Sequence, residues 1–517
     1  MRGVDPLLRA GSSLIPTRFK ERVAGSPLLT RLARGFFWSV VGGAASRVFA
    51  MAAAVVAARL VGREGYGEIG MVQSTLGLFG VFAGFGLGTT ATKYVSEFRG
   101  SDTRRTGRIL QLACVLAIGL SVAVALTSAG LAPWLSRRVL GRADLASLVV
   151  AGSVLMLVSS LSSLTTGVLA GFESFRQIAT IGLWQGLLLL VVTIPFTWHF
   201  GTQGAIAALS VSAAIATILT ARAIQAQCRL HGVPIAAWDS AQREARTIAK
   251  FAVPSTLSAL MVAPVGWATS VLLAHQVDGY AQLGLFNAAN QMRSILIFLP
   301  MALTTALLPV LSETFGRGDR DGFGHTLTIN LRVVWAVALP VTAALLAMRG
   351  PISALFGPSF RDLAGVLALS LVAVFFTVLG GQVGTALAGA GRMWAATAMN
   401  LGWGVLTVGL SLILVPRFGA RGLAAAYALA YIAHACWSFV YGRAMLGLEF
   451  GREEAILLGF TIAILGFQVL DPLSPVRRLL LETFLVGLSL VPLCGQLVTF
   501  SRAARPGGAG ERQTRVP

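Results

Sequence analysis

An internal duplication constrains this chain more than any other feature. Leu169-Ala170-Gly171 recurs as Leu387-Ala388-Gly389, and Phe200-Gly201-x-x-Gly204 recurs as Phe418-Gly419-x-x-Gly422, both 218 residues on. Tyr66-Gly67 answers Leu283-Gly284 at 217, and Ser96-Glu97 answers Ser312-Glu313 at 216. So steady an offset marks a repeated module whose strongest matches fall at helix ends. Both copies are strongly apolar, so the repeated unit is a bundle of membrane helices. Two matched bundles that rock about a shared midplane site form a transport plan.

Apolar residues make up 55% of the chain and charged residues 12%, which puts most of it in lipid. A span needs about 20 mostly apolar residues. Fourteen runs qualify: 36–58, 66–90, 109–130, 146–168, 178–198, 204–223, 251–274, 283–310, 330–348, 363–384, 394–415, 422–441, 455–470 (which is short) and 479–500. Hydrocarbon leaves no partner for free backbone groups, so these runs must be helices. The expected fold is all-α and polytopic: about 14 transmembrane helices, in two pseudo-two-fold related six-helix bundles plus two C-terminal helices.

Charge orients the bundle. With fourteen spans both termini share a side, and 28 of the 41 Lys and Arg fall in loops on that side against 11 opposite. The other two, Arg47 and Arg293, lie inside spans. The bias places both termini in the cytoplasm, and the net charge of +20 becomes a topology signal. No nucleic-acid partner is expected, because the cations sit in short juxtamembrane loops without a soluble domain.

The expected organisation is a cytoplasmic N-terminal segment at 1–34, a first six-helix lobe at 35–223 and a cytoplasmic linker at 224–250. A second lobe at 251–445, two additional helices at 446–501 and a disordered tail at 502–517 follow. An even number of spans per copy inserts both copies in the same orientation, related by an axis along the membrane normal. Residues 1–34 carry Pro6, Pro16 and Pro27 and no long apolar core, so they do not read as a secretory signal. Leu14–Val23 is either a short surface helix or part of a disordered segment. Cys114, Cys228, Cys436 and Cys494 show no disulfide or metal spacing.

The run Leu60-Val61-Gly62-Arg63-Glu64-Gly65-Tyr66-Gly67, then Phe85-Gly86-Leu87-Gly88-Thr89 and Tyr94-Val95-Ser96-Glu97, resembles the opening module of the polysaccharide-repeat-unit flippases. These belong to the multidrug/oligosaccharidyl-lipid/polysaccharide exporter superfamily. Lys250-Phe251-Ala252-Val253-Pro254 and Leu283-Gly284-Leu285-Phe286-Asn287-Ala288-Ala289 resemble its second-module signature, and Gly167-Val168-Leu169-Ala170-Gly171-Phe172 its turn between spans four and five. The resemblance covers about 31–445. It implies a central cavity lined by spans one, two, seven and eight. It also implies a polyprenyl-diphosphate-linked glycan as substrate, in a bacterial inner membrane, with polysaccharide polymerase or assembly proteins as partners. Many members carry an acid in span seven, where this chain has Gly266-Trp267-Ala268-Thr269-Ser270. That departure leaves cation coupling at this position open.

A charge at the bilayer centre costs at least about 2.5–3.5 kcal/mol, so each midplane charge needs a reason. Arg47 and Arg293 lie at similar depth, approached from opposite surfaces, roughly 15–18 Å in. On span eight, Asn287, Asn290 and Arg293 fall on one broad face, and Gln73 on span two is a further candidate. One reading is an electropositive pocket for an anionic headgroup, since guanidinium binds phosphate bidentately and keeps its charge. The other is that each arginine pairs with carbonyls or a nearby Glu and only holds helices together.

Glu68 is read as a solvated carboxylate or partner of Arg63. Lys93 and Glu97 are read as an interfacial pair, and Glu173 and Arg176 as caps of the turn between spans four and five. No phosphate-binding Gly-rich loop ending in Gly-Lys-Ser/Thr occurs, and the five histidines are scattered. No enzyme chemistry, metal or cofactor is expected. A peptidoglycan-precursor flippase, a multidrug–cation antiporter and a membrane polysaccharide polymerase are the alternatives.

Overall fold

A computed structural model describes residues 27–234, 244–449, 451–470 and 485–489. The expectations for the N-terminal segment before residue 27, the C-terminal tail and most of run 479–500 fall outside the described residues. So does the middle of the linker.

Among the described residues, seven helices are long and apolar enough to cross a membrane. Three of them are too long for one crossing. The helix α1 (Pro27–Gly84) has 58 residues, α5 (Phe175–Leu230) has 56 and α12 (Met393–Met445) has 53. At about 1.5 Å per residue each is more than twice the ~30 Å hydrocarbon thickness. Each folds back at one glycine, Gly62, Gly201 or Gly419, and so supplies two limbs.

In chain order the remaining helices are α2 (Leu87–Phe98), α3 (Thr103–Gly130), α4 (Ala146–Gly171), α6 (Ala245–Leu260) and α7 (Ala263–Ala274). They continue with α8 (Gly279–Gly316), α9 (Arg320–Ala347), α10 (Arg349–Phe356), α11 (Leu363–Gly389) and α13 (Arg452–Leu470). No strand is present among the described residues. The chain is an all-helical, polytopic membrane protein.

The duplication is written into the backbone. Gly201 has φ 56°, ψ −132° and Gly419 has φ 55°, ψ −131°, a conformation essentially reserved for glycine. Three residues on, a Cβ at Gly204 would lie 1.8 Å from Phe196 O, and one at Gly422 would lie 2.2 Å from Leu414 O. Both partners are themselves 218 apart. Each copy also closes its last limb over its third span. The chain after α5 reaches Gly107 through Pro234 O, and the chain after α12 reaches Gly324 through Gly447 O.

The copies differ in environment. The apolar window of α11 is 72% buried against 33% for its counterpart around α4, because α11 is enclosed by α8, α9 and α12. Polar side chains tie the spans, as expected in lipid. Ser128 donates to Ser153 Oγ at 2.9 Å, Asn330 Nδ2 to Gln382 Oε1 at 2.8 Å, and Trp335 Nε1 to Thr461 Oγ1 at 2.8 Å. The last bond, with the Arg332–Glu454 ion pair, anchors α13 to α9.

Two spans expected to be continuous are broken. Run 66–90 ends as α1 at Gly84 and resumes as α2 after Phe85 (φ 41°) and Gly86 (φ 59°). A Cβ on Gly86 would lie 2.9 Å from Ser255, so this close approach excludes a side chain there. Run 251–274 divides into α6 and α7 at Met261–Val262. Pro264, in the first turn of α7, has no N–H to donate, and its ring would clash with a helical turn continued from before it.

These glycines make a direct test of the duplication. Gly201 has open space around its missing Cβ, whereas a Cβ at Gly419 would also press Gln282 Oε1 at 2.9 Å. Gly201→Ala should destabilise by about 1–3 kcal/mol from backbone strain alone. Gly419→Ala should cost more, read as a larger fall in thermal unfolding temperature in detergent. The reverse order would contradict this geometry.

Candidate functional site

The copies meet through their own counterparts. A Cβ added to Gly67 would lie 1.8 Å from Tyr280 O, and one added to Gly284 would lie 1.8 Å from Arg63 O. Arg63 and Tyr280 are separated by 217, as are Gly67 and Gly284, and Gly70 and Asn287. Contact between equivalent residues puts the pseudo-two-fold relation between the second limb of α1 and α8. Helix backbones approach this closely only where both carry glycine.

Asn287 belongs to this seam. Its Nδ2 sits where a Cβ of Gly70 would be, is buried, and has no hydrogen-bond partner among the described residues. Gln291 Nε2 donates to Tyr66 Oη across the same seam at 3.2 Å. Asn290 is half-buried on α8, and Gln73 is exposed on the second limb of α1.

Arg293 lies beyond the seam within the second copy. Its guanidinium is 6.0 Å from the Tyr431 ring centroid, at the edge of cation–π range. Tyr431 belongs to an aromatic group with Trp403, Tyr427 and Phe286, and Tyr427 Oη shares a hydrogen bond with Thr269 Oγ1 at 3.0 Å. Thus the span-seven segment lacking an acid faces tyrosine. Arg47 lies in the first copy. Its neighbour Ser46 packs on Gly186 of α5, while Arg47 is half-buried and donates from Nη1 to Gly43 O at 3.0 Å. Of the five candidates, α8 carries three, while Arg47 and Gln73 are held by separate limbs of α1.

Ionic contacts close the seam at the end carrying Gly62. Arg63 Nη2 meets Asp278 Oδ2 at 2.9 Å, and Arg59 donates from Nε to Leu355 O at 2.6 Å and from Nη2 to Ala354 O at 3.1 Å. Arg59 thereby crosses from the first copy to the C-terminal carbonyls of α10, where a cation is favoured. Tyr280 Oη donates to Leu140 O at 2.7 Å. Arg142 gathers Glu64, Glu68 and Asp144 at 2.8, 2.9 and 2.6 Å. The hydrogen bond with Asp144 raises the Arg142 guanidinium above its ordinary value, and Asp144 is correspondingly lowered. Glu68 is therefore neither solvated nor paired with Arg63, because the 131–145 turn brings Arg142 to it.

At the opposite end α6 crosses the seam. Glu244, with its side chain 7% exposed, pairs with Arg105 at 3.2 Å and Arg108 at 3.5 Å. Tyr94 Oη donates to Thr247 O at 2.9 Å. Lys93 lies 4.7 Å from the Phe251 ring, so its contact is aromatic rather than the expected pair with Glu97. Glu173 stands at φ 58° in the turn that ends α4, with its N–H on Ala170 O, and its carboxylate also takes Arg99 as a partner. The aromatic group and the Arg142 cluster were missed by sequence reading. The first had a signal in Tyr427 and Tyr431 at i, i+4. The second had none, since its members come from segments 64–68 and 142–144.

The chain matches the polysaccharide biosynthesis protein family over residues 32–315, more than half its length. It belongs to that family. A second match, to MatE, covers residues 254–415, most of the second copy. Among curated relatives, the EPS I polysaccharide export inner membrane protein EpsE of Ralstonia solanacearum is 30% identical over 276 residues, 50% of this chain and 58% of the relative. The chain thus spans less than two thirds of that relative's length. EpsE of Ralstonia nicotianae is 27% identical over 374 residues, 69% of this chain and 77% of the relative.

Among solved structures, the lipid II flippase MurJ in an inward closed conformation superposes with TM-score 0.69 at 13% identity, covering 90% of this chain and 99% of MurJ. An inward-facing multidrug resistance MATE family transporter of the MOP superfamily superposes with TM-score 0.64 at 16% identity, covering 81% and 99%. At these identities the likeness is one of fold. This member of the polysaccharide biosynthesis family has the MOP-superfamily architecture.

The seam predicts a sharp positional effect along the second limb of α1. Gly67→Ala or Gly284→Ala must push two backbones apart, whereas Gly77 has open space about its missing Cβ. The first two should each lose about 1–3 kcal/mol, and Gly77→Ala should not. Equal thermal unfolding of all three variants would contradict the seam.

Proposed function

We propose that this protein is a flippase translocating a polyprenyl-diphosphate-linked oligosaccharide across the bacterial inner membrane by alternating access, for surface polysaccharide biosynthesis. The observation that carries this reading is the seam: two copies of one module meet through equivalent residues, with one half-buried arginine candidate in each. The names of the EpsE relatives support a polysaccharide-linked cargo.

On this reading the lobes are 35–223 and 251–445, both termini are cytoplasmic, and the Gly62 end faces outward. The excess of 28 cationic residues over 11 supports that orientation. Arg47 and Arg293 hold the diphosphate in turn, with Asn287, Asn290 and Gln73 nearer the glycan, and the polyprenyl chain stays in lipid between the lobes. Rocking breaks the Arg59 and Arg63 contacts at the Gly62 end, while Glu244 keeps α6 docked on α3. The protein is a transporter without enzyme chemistry, and polymerase or assembly proteins receive its product.

Charge-assisted contacts to phosphate are worth about 1.5–3 kcal/mol each. Arg47→Ala and Arg293→Ala, at matched membrane abundance, should therefore cut surface-glycan export by about ten-fold or more. Lipid-linked repeat units should accumulate inside. Undiminished export in both variants removes the headgroup site. Accumulation of peptidoglycan precursor instead would favour the precursor-flippase alternative.

A further inference from the structure

A cavity of about 750 Å3 opens at the Gly62 end, apart from the midplane residues. It lies among the last turn of the first limb of α1, the C-terminus of α10, the 358–360 turn and the start of α11. Arg59 and Arg361 line it with Ser353, Ser359 and Gly357, and no Asp or Glu is among its lining residues. Its volume falls within the roughly 300–1,000 Å3 of ordinary ligand sites.

Its charge is not cancelled locally. At this end Glu64, Glu68 and Asp144 are taken by Arg142, Asp278 by Arg63, and Asp362 faces Arg421 at 3.6 Å. Arg361 is exposed and forms no ion pair among the described residues. Arg59 gives Nε and Nη2 to carbonyl oxygens, which leaves further N–H donors on its guanidinium. Ala364, in the first turn of the 27-residue α11, also lines the space, and Asp362 makes no side-chain cap there. The positive end of a long helix thus joins two guanidinium groups.

We infer that this cavity binds a phosphate or diphosphate group at the level of the outer leaflet, where it receives the anionic headgroup after the midplane arginines release it. The outer-leaflet placement rests on the flippase reading, while the anion site rests on the cavity itself. Arg361 is the primary ligand, and Arg59 contributes its remaining donors while still crossing to α10.

The test uses the full chain in nanodiscs, with its four native cysteines replaced by Ala and Ser359→Cys placing a thiol on the exposed wall. Labelling by a membrane-impermeant maleimide is timed with inorganic pyrophosphate, with farnesyl diphosphate, and with sulfate at matched ionic strength. Both diphosphates should slow labelling about fivefold or more, sulfate should not, and adding Arg361→Glu should restore the unprotected rate. Protection by pyrophosphate without farnesyl diphosphate also supports the site and assigns it to a free anion. Equal rates in all three solutions, or protection that survives Arg361→Glu, overturns the site. The same variant is also labelled in intact cells, where a thiol that reacts only after permeabilisation overturns the outer-leaflet placement. Unimpaired export in Arg47→Ala and Arg293→Ala would remove the midplane headgroup site, and with it the hand-over, and leave the protection result standing.

Discussion

Gly67 and Gly284 meet with no room for a side chain on either, and the arrangement of the two copies turns on that contact. In lipid there is no hydrophobic drive to press helices together, so close packing and polar contacts must hold them. Two glycines let the second limb of α1 and α8 come into backbone contact at one end. Everything that bridges the copies at that end, including Arg59 on α10, Arg63 on Asp278 and Tyr280 on Leu140 O, is within reach because of that approach. At the other end the contact is made by α6, a half-span separated from α7 ahead of Pro264. One end is therefore joined by continuous helices and the other by a segment that bends independently.

Charge follows the same division. Near the Gly62 end, carboxylates and guanidinium groups are close and partly exposed, so each pair contributes at most about 1 kcal/mol and exchanges readily. Glu244 and Glu454 are different, with side chains 7% and 1% exposed and arginine partners that are better solvated. These two fasten α6 to α3 and α13 to α9. Weak contacts at a seam that must open, and strong ones on elements that must stay docked, suit a molecule built to rock.

Much of the architecture was legible because lipid leaves few choices. Apolar runs had to be helices, and a constant offset had to mean two like bundles. The equality of the Gly201 and Gly419 torsions is that offset expressed in backbone angles. The breaks were less legible. Gly86 reads as one more glycine until Ser255 is seen against it, and the interruption of span seven needed Pro264 to be weighed above its apolar surroundings. Among polar residues, depth in the membrane singled out Arg47 and Arg293. Nothing in the local sequence said that Arg293 would lie near Tyr431 or that Glu68 would turn to Arg142.

The sequence by itself determined that the chain is helical, that it spans a membrane many times and that it is built twice over. Each of these follows from local composition, period and self-similarity. The tertiary structure alone decided which faces of the two copies touch, which arginines find carboxylates and where an uncancelled cationic cavity remains. Those outcomes depend on residues hundreds of positions apart arriving at one place, and helix packing, not neighbouring sequence, brings them there.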